Sequence, residues 1–111
     1  MENENSLSGS SQYSTEKTKA YVIGHITIKD MEKWVAYRDR VPATLTEWGG
    51  KLVFRGQRVS VFTGEHPYTD TVVIQFPNSV AAKKWYESQA YQALIPLRDQ
   101  AADVVIINYQ S

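Results

Sequence analysis

Apolar and polar side chains alternate along Tyr21–Ile28, the pattern of a strand whose residues point to opposite faces in turn. A polar position, Asp30, follows. Apolar residues then recur at helical spacing through Met31, Trp34, Val35, Val41, Leu45 and Trp48. The same series of signals returns in the second half of the chain. Val72–Phe76 reads as a strand, Asn78 as a helix start, and Ala81, Ala82 and Trp85 open an inner stripe that continues to Leu97. Each half runs into a further strand-like stretch, Lys51–Thr63 after the first and Val104–Tyr109 after the second. The order is βαββαβ. It predicts an α+β, ferredoxin-like sandwich: a four-stranded antiparallel sheet with two helices on one face.

The punctuation agrees with that order. Asp30 and Asn78 each offer a side-chain oxygen to the orphan N–H groups of a helix start. Pro42 lacks an N–H and predicts a kink or restart in the first helix. Gly49-Gly50 ends that helix, since glycine accepts the left-handed conformation of a helix terminus. Gly56 divides the Lys51–Thr63 strand and predicts a bulge there. Gly64–Asp70, with Pro67, is the hairpin loop. Ser88–Ala90 breaks the second helix before a further piece through Tyr91, Leu94 and Leu97, with Pro96 marking a restart. Residues 1–18, dominated by Ser, Asn, Glu and Gln, bury too little apolar surface to offset the entropy of ordering and predict a flexible tail. Residues 19–111 are then a single domain.

Read face by face, Val22, Gly24, Ile26 and Ile28 share one side of the sheet with Leu52, Phe54, Val72, Ile74 and Phe76. That side is wholly apolar and packs under the helices. The other side carries Tyr21, Ile23, His25, Thr27, Val53, Arg55, Val73 and Gln75. It is too apolar for water and too polar for a dry core, where an unpaired group costs ~1–3 kcal/mol. A homodimer, with the sheets of two copies facing each other, meets both demands.

Composition narrows the classes of function. Twelve basic and twelve acidic residues cancel, with no basic stripe, so no nucleic-acid partner is expected. The chain of 111 residues has no cysteine, which removes disulfides, thiolate metal sites and thiol catalysis, and suits a reducing cytoplasm. No apolar stretch approaches the roughly 20 residues of a spanning helix, so no membrane partner is expected either. There is no nucleophile elbow and no phosphate-cradling glycine loop. The two histidines, His25 and His66, do not form a ligand-spaced pair, so no metal is expected.

Several motifs in order resemble the domain of unknown function 1330 family. They are Ala20-Tyr21-Val22-Ile23, Asp30, Val41-Pro42-Ala43-Thr44, Gly49-Gly50, Arg55-Gly56 and Phe76-Pro77-Asn78. Ala82 with Trp85-Tyr86-Glu87-Ser88, then Tyr91-Gln92-Ala93-Leu94 and Leu97-Arg98, extend the resemblance to about residues 20 to 109. It implies a dimeric α/β-barrel, a fold that also hosts small monooxygenases, haem-degrading enzymes and isomerases, and it implies no particular reaction. Gln57 stands where the family usually has a second glycine, and Asn78 where it often has serine. A haem-degrading activity would need an axial histidine on the second helix, and residues 79–102 contain none.

Three residues are the candidates for chemistry. His25, at a central strand position on the mixed face, is the candidate proton-transfer residue, or else hydrogen-bonds across the dimer. Arg55, placed on the same face, could grip a ligand carboxylate or pair with an acid of the partner chain. Tyr86 points about a quarter-turn from Trp85, so its hydroxyl could reach a ligand at the edge of a cleft. Trp34, Trp48, Trp85, Tyr86 and Tyr91 could line an aromatic pocket, though aromatics at helical spacing, the tryptophans above all, are more often plain core. His66 reads as an exposed loop residue, and Arg98, near Asp99 and Asp103, as part of a solvated helix face. Two functions follow. One is a small-molecule-binding homodimer for an apolar or aromatic ligand, with or without cofactor-independent isomerase- or monooxygenase-like catalysis, needing neither metal nor organic cofactor. The other is a non-catalytic dimerisation module.

Overall fold

The computed structural model describes residues 18–111; the expected tail lies outside them except for Thr18, which is buried at the start of the folded region. Strand β1 (Ala20–Ile28) leads through the Asp30 cap into α1 (Met31–Leu45). The Asp30 carboxylate accepts the Lys33 N–H at 3.1 Å, which satisfies one orphan donor of the first turn. Helix α1 runs through Pro42 without restarting, and a short 3-10 turn, Thr46–Trp48, ends at Gly49 with φ of 73°. Strands β2 (Lys51–Gln57) and β3 (Asp70–Phe76) follow. Then come α2 (Ser79–Glu87), α3 (Gln89–Gln92), α4 (Ile95–Ala101) and β4 (Ala102–Gln110). Asn78 caps α2 by accepting the Ala81 N–H at 2.8 Å. Ser88 both ends α2 and caps α3, which is the predicted break.

All neighbouring strands are antiparallel, in the order β2-β3-β1-β4. This is the ferredoxin-like sheet, with the helices on one face. The core between them holds Val22, Ile26, Ile74 and Phe76 from the sheet against Trp34, Leu45, Trp85 and Tyr91 from the helices. No helix among the described residues is long and apolar enough to cross a membrane.

Two expectations for Lys51–Thr63 are corrected. Only Lys51–Gln57 is strand; from Arg58 to Thr69 the chain forms an arm pinned at its base, where Arg58 N donates to Thr69 O at 2.7 Å. Val59 and Phe62 on that arm are almost fully exposed. The bulge, moreover, falls between Leu52 and Phe54, not at Gly56. Leu52 pairs with Ile74, but Phe54 pairs with Val73 and Arg55 with Val72. An extra residue in one strand exchanges the faces of everything after it. Phe54 therefore leaves the helix side and Arg55 enters it.

Candidate functional site

A cavity of about 80 Å³ lies between the sheet and the helices. Its apolar wall comes from alternate residues of the strands, among them Val22, Ile26, Ile74 and Ile106, and from Trp34 and Trp85. The strand alternation and the α1 stripe bring these together. Gly24 also lines it, opposite Val72, where a Cβ would come within 3.2 Å of the Val72 side chain.

The polar part of the wall is made by Tyr37, Tyr91 and Arg98. The Tyr37 and Tyr91 hydroxyls lie 2.8 Å apart. Arg98 Nη1 donates to the Tyr91 hydroxyl at 3.1 Å and to Tyr86 at 3.4 Å, and its Nε donates to Asp99 at 3.0 Å. Arg98 is 8% exposed and Tyr91 fully buried. Burial raises both tyrosine pKa values; the Tyr91 neighbour raises Tyr37 further, while the hydrogen bonds of Tyr91 to Tyr37 and Arg98 oppose its own rise. Both phenols hold their protons at neutral pH. Burial works against the Arg98 charge, but the accepting Tyr86, Tyr91 and Asp99 oxygens more than offset it. Trp85 completes the wall, its indole N–H donating to Thr44 Oγ1 at 2.9 Å. Arg38, half-buried, and Arg55, exposed, also line the cavity and reach solvent. Among the described residues no Asp or Glu lines it.

The three candidates thus stand in three places. Arg55 lies on the cavity, on the opposite side of the sheet from His25, because of the bulge. Tyr86 lies behind Trp85, bonded to Arg98, and lines a neighbouring groove with Ala82 and Asn108. His25 is half-buried on the helix-free face, paired with Thr71 and Val105. Its ring lies 5.0 Å from His66 and 6.2 Å from Tyr68, and its Nδ1 is 3.4 Å from Thr71 Oγ1. Partial burial, and then the charge of His66, lower its pKa. His66 is therefore half-buried against His25, not simply exposed. Among the described residues no group of three or more His, Cys, Asp or Glu side chains could hold a metal ion.

Tyr37, Arg38 and Arg98 are the site residues that pattern reading passed over. A signal existed. Trp34, Tyr37, Val41 and Leu45 recur at i, i+3, i+7 and i+11, and Tyr91, Leu94, Arg98 and Ala101 at i, i+3, i+7 and i+10. The first set is one stripe of α1; the second runs from α3 into α4, and Arg98 shares it with three buried residues.

The family model for the domain of unknown function 1330 matches residues 19–109. The chain belongs to that family. No curated protein matches it. Among solved structures, this member of the family is similar to a protein of unknown function from Rhodopseudomonas palustris, with a TM-score of 0.72 and 16% identity over 86% of this chain and 83% of the other. It is also similar to a dimeric ferredoxin-like protein of unknown function from Jannaschia, with a TM-score of 0.66 and 10% identity over 84% and 99%. A cofactor-independent oxygenase from Streptomyces nogalater gives a TM-score of 0.61 and 6% identity over 84% and 92%. At these identities the likeness is one of fold.

Proposed function

We propose that the protein is a small-molecule-binding homodimer of the dimeric α/β-barrel type, with the ligand in the cavity between sheet and helices. The observation that carries this is the chemistry of the cavity wall. An apolar pocket with a few convergent polar groups is the usual form of a small-molecule site, and here those groups are two protonated phenols on a buried guanidinium. Such groups donate hydrogen bonds without needing a metal or an organic cofactor. The oxygenase of the same fold supports a reading in which chemistry, where it occurs, is cofactor-independent.

The helix-free face supports the dimer. It exposes Phe54, Val105 and Tyr109 and half-buries Ile23, Val73 and Ile107 around His25. A contiguous apolar patch of this kind marks an interaction surface. The similar Jannaschia protein is described as dimeric. In this reading His25 serves the contact between copies, and the Tyr37–Tyr91–Arg98 group orients the ligand by donating hydrogen bonds to it.

Native mass spectrometry of the gently purified protein tests both parts. The expected result is a dimer that takes up an apolar small molecule and releases it on denaturation. A monomer at micromolar concentration would remove the dimer from the account. A protein that takes up no apolar compound would remove the ligand.

A further inference from the structure

We infer that the ligand is a small, mainly apolar carboxylic acid bound as its anion, with the Arg55 guanidinium as its counter-charge. The inference rests on the cavity being the binding site, and two independent observations narrow what enters it.

The first is charge. Arg38, Arg55 and Arg98 line the cavity, and among the described residues no carboxylate does. Arg98 already donates through Nε and Nη1 to Asp99, Tyr86 and Tyr91, and Arg38 lies 3.8 Å from Asp39. Arg55 makes no hydrogen bond or ion pair with any described residue, although its fork is suited to a bidentate carboxylate. One sign of charge over low-dielectric walls raises the local concentration of the opposite ion.

The second is a proton count. Tyr37 and Tyr91 carry two hydroxyl protons and share one hydrogen bond, while Arg98 donates to Tyr91 without accepting. Whichever tyrosine donates to the other, one phenolic proton finds no acceptor among the described residues. Both side chains are more than nine-tenths buried and both line the cavity. A hydrocarbon leaves that proton unmet; a carboxylate oxygen meets it. Size sets the remaining limit. A cavity of about 80 Å³ limits the ligand to a short branched chain or a single ring.

Trp34 and Trp85 line the cavity, so tryptophan fluorescence reports its occupancy. The titrants are 3-methylbutanoate and benzoate, their neutral amides, and benzene. We expect the acids to bind at least tenfold more tightly than the amides at low salt. Arg55→Gln removes that preference while amide affinity stays unchanged, and Arg40→Gln, on the exposed side of α1, keeps it. Equal affinity for acid and amide, or a preference that survives Arg55→Gln, overturns the inference. Binding of benzene alone overturns the inference and leaves the cavity as the site. Failure of every titrant overturns both.

Discussion

The Tyr37 hydroxyl meets the Tyr91 hydroxyl at 2.8 Å inside the core, and Tyr91 in turn accepts from the buried Arg98 guanidinium. This relationship joins α1 to α3 and α4 through polar atoms inside an otherwise largely apolar core. It also fixes how the protein responds to alkali. Burial raises the folded-state pKa of both phenols above the unfolded value near 10. Above that pH the unfolded chain releases protons that the folded chain retains, so stability falls as pH rises. Urea titrations should show a level midpoint from about pH 8 to about pH 10 and a steep decline beyond it. Tyr37→Phe, which removes one of the two protons, should make the decline shallower. A midpoint in the parent protein that stays level above pH 10 would contradict the assignment.

Acid acts through the opposite face. The His25 pKa is lowered by partial burial and by His66, so the unfolded chain binds the proton more readily than the folded one. Stability is complete above the ordinary histidine value near 6.5 and is lost as pH falls through the window between that value and the folded-state one. His66 and Tyr68 are the other titratable rings beside it. His25→Gln should flatten the fall of the urea midpoint below about pH 6.5 relative to the parent protein. An equal slope in both proteins would place the acid sensitivity elsewhere.

Gly50 is where the helix ends and the sheet begins, and it is packed closely. A Cβ there would stand 2.8 Å from Phe76 and 2.9 Å from Leu45, both buried. Both belong to the core, and at these distances one of them must shift. Gly50→Ala is expected to lower stability by about 1–3 kcal/mol through overpacking. Chemical denaturation with an unchanged slope checks this; a variant as stable as the parent would show that the joint can relax.

A charge placed on the helix-free face should separate the copies. Ile107 is half-buried there, opposite Ile23 in the ladder. Ile107→Lys is expected to shift the sedimentation coefficient to that of a monomer while the circular dichroism of the fold is retained. An unchanged dimer would mean that the contact lies on another surface.

Much of this was legible in the chain. Asp30, Asn78 and Gly49 announce element ends because capping needs a particular side chain or a particular φ, and the βαββαβ order follows from the two periodicities. The face of Arg55 was not legible. Leu52, Val53 and Phe54 are three apolar residues in a row, so sliding the pairing by one residue leaves an apolar pattern on both faces. Gly56 looked like the irregular position for its residue type alone, whereas the ladder with β3 places the bulge at Val53. Arg98 misled for another reason. Asp99 and Asp103 beside it suggest a solvated face, yet its helical stripe with Tyr91, Leu94 and Ala101 turns it inward. Tyrosine hydroxyls make that burial tolerable, and pairing across 54 residues of sequence, Tyr37 to Tyr91, leaves no local trace.

The isoleucine methyls divide cleanly between the two sides of the sheet. Ile26, Ile74 and Ile106 line the cavity, while Ile23 and Ile107 lie on the helix-free face. Methyl NMR of isoleucine-labelled protein, titrated with benzoate, locates the bound molecule directly. The account predicts saturable shifts at Ile26, Ile74 and Ile106 with Ile23 and Ile107 unmoved. Shifts confined to Ile23 and Ile107 would put the ligand between the sheets and contradict it.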